Sequence, residues 1–268
     1  MLTTTSFQGK LKKTKDLFIP FIVAGDPTPE LTIELAVKLQ EAGADILELG
    51  IPYSDPLADG PTIQRAAKRA LSQGMSLIRA IQLVPQMRAR GVDIPVVIFT
   101  YYNPVLQLGE ERLMELLKEN GAEGLLIPDL PHEESASIRD LASREGIEFI
   151  SLVAPNSDAR IEKIAKDASG FLYCVSTLGV TGERNKMSSE VVGFITKVKQ
   201  HSRVPVAVGF GISTNEHVQW IRGHADGVII GSRIITLLES ELEDLSLGET
   251  EQMAALERFY EKVKELVR

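Results

Sequence analysis

The sequence has one cysteine, Cys174, and only four histidines in 268 residues. A lone cysteine excludes an intrachain disulfide and fits a reducing cytoplasm. No apolar run approaches the ~20 residues that span a bilayer. The first residues, MLTTTSFQGKLKK, lack the apolar core of a secretory signal. They are neither Arg-rich nor long enough to read as a transit peptide. A cytoplasmic protein is therefore expected, with a plastid location only if a transit peptide has been removed. There is also no basic run: Lys and Arg total 29 against 37 Asp and Glu, a net charge of −8. That balance disfavours nucleic acid as a partner. It says nothing against a small anionic substrate, whose site is local. His132, His201, His217 and His224 show no metal-ligand spacing and lie off every predicted strand, so no metal is expected and surface or capping roles are assigned to them. No lysine falls on a predicted strand, which disfavours a Schiff-base aldolase, and the missing histidine cluster disfavours a zinc-dependent one.

What is present is ordinary globular material, 44% apolar and 25% charged, built on a drifting repeat. EAGADILELG (41–50), ARGVDIPVVIF (89–99), ENGAEGLLIPD (119–129), REGIEFISLVAP (144–155) and RGHADGVIIGS (222–232) mostly combine a charged helical end, a glycine, an acidic residue and a short apolar run. The glycine reads as a helix C-cap and the run as a buried strand. With LFIPFIVAG, FLYCVS and VPVAVGFGI, eight strands begin near 17, 46, 95, 124, 148, 171, 205 and 227. Amphipathic helices are expected at 29–42, 110–120 and 189–200, an extra one around 76–90, and a closing helix at 251–267. The acidic stretch 239–250 reads as a solvated loop. Runs apolar on both faces, alternating with helices, indicate α/β architecture with a helix-covered parallel sheet. Eight such units point to one (β/α)8 barrel domain over residues 1–268, with additional helices. The rival, an open doubly wound sheet, would be expected to carry G-x-G-x-x-G after its first strand; that strand instead ends AGDP.

In such barrels chemistry sits at the C-terminal ends of the strands. Glu48 lies near the end of the second strand, where both faces are covered, so burial of its carboxyl is expected. Burial raises a carboxyl pKa, and a tuned carboxyl can both give and take protons near neutrality. The competing reading is a strand-end glutamate paired with a basic residue close in space. Asp59 lies in IPYSDPLADGP (51–61), a loop stiffened by proline; alone, Asp59 or Asp55 reads as a turn or cap residue, and Thr62 as a cap for a helix starting at Ile63. Beside Glu48, Asp59 becomes a second carboxylate at the same mouth. The seventh strand ends Gly209-Phe210-Gly211 and the eighth Gly231-Ser232-Arg233, the recurrent phosphate position of these barrels, where glycine lets backbone N–H groups approach an anion. The sixth loop, Thr177 to Gly182, could supply another N–H. Cys174 reads as a small buried hydrophobe, Arg184 and Lys186 as a solvated face or a lid, and Asp129 as a mouth residue or a helix cap. Two carboxylates and a phosphate grip suit proton transfer on a phosphorylated substrate.

The segment ELGIPYSDPLADGPTIQ (48–64) closely resembles the signature of the tryptophan synthase α subunit family. PFIVAGDP (20–27), GVTG (179–182), GFGIS (209–213) and GS (231–232) resemble it too, in the same order along essentially the whole chain. The resemblance implies a (β/α)8 barrel with added helices that cleaves indole-3-glycerol phosphate, by a retro-aldol reaction, to indole and glyceraldehyde 3-phosphate. It implies Glu48 as the acid/base at indole C3 and the glycerol hydroxyl, and Asp59 as the carboxylate on the indole N–H. It implies Tyr173 in the active site, Gly182, Gly211, Gly231 and Ser232 on the phosphate, and Phe21, with Ile63, as walls of the indole pocket. No cofactor is implied in this chain, pyridoxal phosphate belonging to a β subunit that receives the indole in an α2β2 heterotetramer. Pro52, Asp55 and Thr181 match contact and signalling positions toward that partner. Two positions depart from well-known members: Thr177 stands where some carry arginine, and His132 where the residue is often apolar. Two other readings stand beside this one. A different phosphate-binding barrel, such as a sugar-phosphate isomerase, is separated by the 48–64 motif, and a subunit that only activates its partner is disfavoured by the two carboxylates.

Overall fold

The computed structural model describes residues 6–155, 160–175, 189–209 and 211–268. Nine strands are found among them: β1 (Leu17–Val23), β2 (Leu47–Gly50), β3 (Val96–Phe99), β4 (Gly124–Leu126), β5 (Glu148–Phe149), β6 (Ser151–Val153), β7 (Leu172–Val175), β8 (Val206–Gly209) and β9 (Gly227–Ile230). Every pairing is parallel, in the order β5-β4-β3-β2-β1-β9-β8-β7-β6. β5 and β6 are two ends of one run either side of Ile150. β5 pairs with β4 and β6 with β7, while Ile150 N donates to Leu125 O at 2.8 Å. The fifth unit thereby joins the two ends of the ribbon and closes the eight-unit barrel. The eight starts expected from the sequence fall within one residue of the strands observed.

Closure sorts the apolar side chains into two layers. Leu17, Ile19, Ile46, Val97, Leu126, Ile150, Phe171, Tyr173, Ala207 and Ile229 fill the barrel, with Phe7 joining them from the helix Phe7–Lys10. Their strand neighbours Phe18, Leu47, Leu49, Val96, Ile98, Leu125, Cys174, Val206 and Val228 pack outward against the helices. Two buried faces are why the strands read as continuous apolar runs. Near Phe7 the barrel floor is pinned by Glu123, which is buried. Its carboxylate takes Arg88 Nη2 at 2.8 Å, the Lys10 ammonium and the backbone N–H of Val96 at 2.9 Å.

The helices Pro29–Glu41, Glu110–Asn120 and Ser189–His201 stand close to the expected spans. Glycine caps at the predicted ends adopt the left-handed conformation at Gly121 and Gly146, but Gly223 stays right-handed at φ −71°. The helix expected around 76–90 is two, Leu77–Ile81 and Leu83–Ala89, with Pro85 in the first turn of the second, where a missing N–H is harmless. The stretch 239–250 is not a solvated loop. It contains the helix Leu242–Leu245, with Leu245 in the core, and a buried Glu241 whose carboxylate is held by Arg258 and Lys262 of the closing helix Glu249–Val267. Its acidic residues are part of a packed ion-pair seam, which composition alone does not reveal. No helix among the described residues is long and apolar enough to cross a membrane.

The mouth end of the barrel is crowded by aromatic rings laid on glycines. A Cβ at Gly50 would meet the Phe21 ring at 2.4 Å, and one at Gly209 the Tyr173 ring carbons at 2.7 Å. Gly50→Ala is expected to cost about 1–3 kcal/mol, the scale of core overpacking, measured by chemical denaturation. An unchanged midpoint would show that the Phe21 ring can move aside freely.

Candidate active site

Glu48 is the third residue of Ile46-Leu47-Glu48, and alternation along β2 points it into the barrel while Leu47 and Leu49 face the helices. Its register partners are Phe21 on β1 and Val97 on β3. Glu48 is 1% exposed, and its Oε1 makes no hydrogen bond. The basic partner of the competing reading is not found among the described residues, and burial alone pushes the carboxyl up to about 8. Such a group holds its proton at neutral pH while remaining able to release it.

Tyr173 reaches the same interior from β7, its ring packed on Gly209 of β8. Burial, and then the neighbouring Glu48 charge, hold its hydroxyl well above the ordinary phenol range, so it stays a neutral hydrogen-bonding group. Phe21 lies on Gly50 and meets Phe99 edge-on, ring centroids 5.4 Å apart. On the other side, a Cβ added at Gly231 would lie 3.6 Å from the Phe21 Cβ. Phe21 thus joins the carboxyl side of the mouth to the glycine side.

On that glycine side, a cavity of about 340 Å³ is lined by Ile63, Tyr173, Gly211, Gly231 and Ser232, together with Ile212, Ser213, Ile229, Arg233 and Thr236. Five positions singled out in the sequence therefore share one concavity. Gly211 has φ +74°, a conformation that only glycine enters cheaply. Gly231 is the N-cap of the helix Ser232–Glu239, whose free N–H groups open beside the cavity.

Asp59 is held from another strand. Tyr101 follows β3, is 2% exposed, and its hydroxyl accepts from Ala58 N at 3.0 Å and donates to the Asp59 carboxylate. Burial outweighs that bond, so the Asp59 pKa is raised. The helix that follows is Pro61–Ser72 with Gly60 as N-cap and no side-chain cap bond. Neither Asp59 nor Thr62 caps it, and the cap readings fail. Pro52 is buried under this loop, Asp55 is exposed with Ser54 bonded to it, and Leu57 stands 88% exposed at the loop's crest. Gly182, Thr181, Thr177, Arg184 and Lys186 lie outside the described residues.

Other expectations resolve plainly. Asp129 is a cap: its Oδ1 accepts from Tyr102 N at 2.9 Å, at the start of the helix Tyr102–Leu108. His132 is not a surface residue. Its side chain is 5% exposed, with Nε2 3.2 Å from Asp167 Oδ2, and burial depresses its pKa; a polar ring replaces apolar packing there. No three His, Cys, Asp or Glu side chains among the described residues come together as a metal-holding group.

Sequence reasoning missed Tyr101 and a buried ion-pair network. Asp26, fully covered at the end of β1, receives Arg69 in a two-pronged bond at 2.7 and 2.9 Å. Arg69 and Arg65 both also grip Glu239. The helix after the Asp59 loop is thereby tied to β1 and to the far end of the helix beside the cavity. Tyr101 was findable as a polar residue at a strand end; the network was not, because its members are separated by 43 and 170 residues.

Fold and mouth together define a (β/α)8 barrel of the enzyme type, with a proton-holding carboxyl beside a glycine-lined cavity. The family profile described as tryptophan synthase alpha chain matches residues 7–267. The tryptophan synthase alpha chain of Geobacillus sp. (strain WCH70) is 61% identical over 249 residues, 93% of this chain and 94% of that one. That of Bacillus subtilis (strain 168) is 53% identical over 94% of each. Among solved structures, the tryptophan synthase a2b2 complex of Pyrococcus furiosus aligns with TM-score 0.83 at 36% identity, covering 95% of this chain and 99% of that one. The alpha chain from Legionella pneumophila aligns with TM-score 0.84 at 32% identity, covering 97% and 95%. The chain belongs to the tryptophan synthase alpha chain family.

An unpaired buried carboxyl has a thermodynamic signature. With its folded-state pKa near 8 and its unfolded value near 4.5, Glu48 binds its proton more tightly in the folded state. Its contribution is therefore fully present below pH 4.5 and lost as pH rises toward 8. Relative to the parent, Glu48→Gln is expected to gain up to about 1.4 kcal/mol of stability per pH unit across that window. Denaturation curves at pH 5 and pH 8 check it; a gap that does not widen with pH would mean a compensated carboxyl.

Proposed function

We propose that the chain cleaves indole-3-glycerol phosphate to indole and glyceraldehyde 3-phosphate, as the α component of a cytoplasmic α2β2 tryptophan synthase. The observation that carries this is Glu48, a buried carboxyl without a charge partner among the described residues, whose raised pKa keeps it protonated at neutral pH, in a chain of this family. Breaking the bond between indole C3 and the glycerol carbon needs a place for its electrons. The Glu48 carboxyl gives its proton to C3, producing an indolenine cation that is the electron sink. The Glu48 carboxylate then takes the proton of the adjacent glycerol hydroxyl as that carbon becomes the aldehyde and the bonding pair returns to the ring. One proton leaves Glu48 and one returns, with no net oxidation and no call on a cofactor of this chain; pyridoxal phosphate belongs to the β partner. Asp59, oriented by Tyr101, accepts the indole N–H and stabilises the positive charge that develops at nitrogen. Phe21 and Ile63 wall the indole, Tyr173 lies at the centre, and Gly211, Gly231, Ser232 and Gly182 offer N–H groups to the phosphate. Pro52, Asp55 and Thr181 serve the partner interface, a role supported by the exposed Leu57 crest of the 51–60 loop.

Indole release by the purified chain, alone and with a β subunit, tests the reading. Glu48→Gln is expected to reduce turnover to near background while leaving phosphate-ester binding intact; near-parental turnover would remove Glu48 from the mechanism. Since the acid form is needed, kcat/KM should fall above pH ~8 as the carboxyl ionises. Asp59→Asn should lower kcat about 10²-fold or more. A loss confined to KM would make Asp59 a binding group only.

A further inference from the structure

We infer that Arg233 is a specificity-determining residue for the phosphorylated end of the substrate, adding a full positive charge to a site otherwise made of backbone N–H groups. The inference rests on the proposed function and extends it. Arg233 is the second residue of the helix Ser232–Glu239 and lines the same cavity as Gly211, Gly231 and Ser232. Its Nε is sealed from solvent and makes no hydrogen bond.

Arg88 and Arg139 also carry a sheltered, unbonded Nε, and the sheltered Nε of Arg222 is ion-paired to Asp16. Each of those has a carboxylate for its charge, in Glu123, Asp167 and Asp16. Arg233 has none among the described residues. The carboxylate on the same helix, Glu239, is already taken by Arg65 and Arg69. A guanidinium is always charged, and its planar fork matches phosphate oxygens two at a time. A sheltered N–H without a partner is costly, and a phosphate dianion in the cavity supplies the partner the protein withholds. The helix N-terminus offers only partial positive charge, which suits many anions. A full charge with a fork favours a dianionic phosphate monoester over a neutral glycerol side chain or a carboxylate of single charge.

Steady-state kinetics with indole-3-glycerol phosphate and calorimetric binding of sn-glycerol 3-phosphate test this on the full chain. Arg233→Gln is expected to raise KM and the glycerol 3-phosphate Kd in parallel by about 10- to 100-fold, the range for a lost charge-assisted contact. The kcat should remain within about twofold, because the reacting carbon lies at the Glu48 end, and the thermal midpoint should be unchanged. Arg233→Lys, which keeps charge but loses the fork, should fall between the two and carries the test if the glutamine variant does not fold. A parent that cleaves substrate and variants that bind glycerol 3-phosphate as tightly as the parent would overturn the role of Arg233 alone. A parent that neither cleaves substrate nor binds glycerol 3-phosphate would overturn the proposed function, and this inference with it.

Discussion

A carboxyl group buried without a counter-charge is the constraint around which this barrel is arranged. Leaving Glu48 unpaired on the inner face of β2 forfeits the stability that an apolar residue would contribute there. The return is a proton held at neutral pH in a place closed to water. A lysine or arginine within reach would pull the pKa back down and empty the site of its acid. The inner surroundings of Glu48 are accordingly Phe21, Val97 and Tyr173, none of which carries a charge. Two basic residues behind the mouth are directed elsewhere: Arg65 and Arg69 are held by Glu239 and Asp26. Pairing these two cations with carboxylates of their own limits the positive field they exert on Glu48.

Shape is held by different means. Phe21 on Gly50 and Tyr173 on Gly209 each need a neighbouring strand without a Cβ. Both rings therefore lie against backbone, leaving the axis of the mouth open while its wall stays packed. A Cβ added at Gly231 would also reach contact distance of Phe21, so the β1–β2 side and the start of the helix Ser232–Glu239 lie near one aromatic ring. The Asp26–Arg69–Glu239 network fixes the same relation from outside the barrel. Two independent restraints, one apolar and one ionic, thus set the distance between the carboxyl and the glycine-lined cavity. In the proposed function, a substrate with an indole at one end and a phosphate at the other spans that distance.

The barrel was readable because it is made of local signals. Apolar runs such as LELG and VVIF, glycine caps and amphipathic helices repeat at a period of one strand–helix unit, and chirality and closure follow from that. Glu48 was readable for the same reason: alternation along a strand buried on both faces leaves it only the interior. Asp59 was readable only beside Glu48 and the family signature, since its fixing partner, Tyr101, comes from another unit. The acidic stretch 239–250 misled because composition reports charge and not pairing. Glu241 is buried on account of Arg258 and Lys262, which lie 17 and 21 residues further on. His132 misled in the same way, since its cover comes from Asp167 and the surrounding cavity wall. Contacts across units are set by three-dimensional closure, which a periodicity argument reaches only in outline.

The two ends of the mouth also act on each other through charge. A phosphate monoester brings close to two negative charges at neutral pH, and a like charge within reach raises the pKa of a carboxyl further. In the proposed mechanism, a phosphate in the glycine-lined cavity acts in the same direction as burial and favours the protonated form of Glu48. The same repulsion persists in that mechanism once the proton has moved to indole C3. The carboxylate left behind is made more basic by the phosphate, which favours its taking up the glycerol proton, while the indolenine cation beside it acts in the opposite direction. In that proposal phosphate binding favours the uptake of the glycerol proton, and a single buried carboxyl serves both steps.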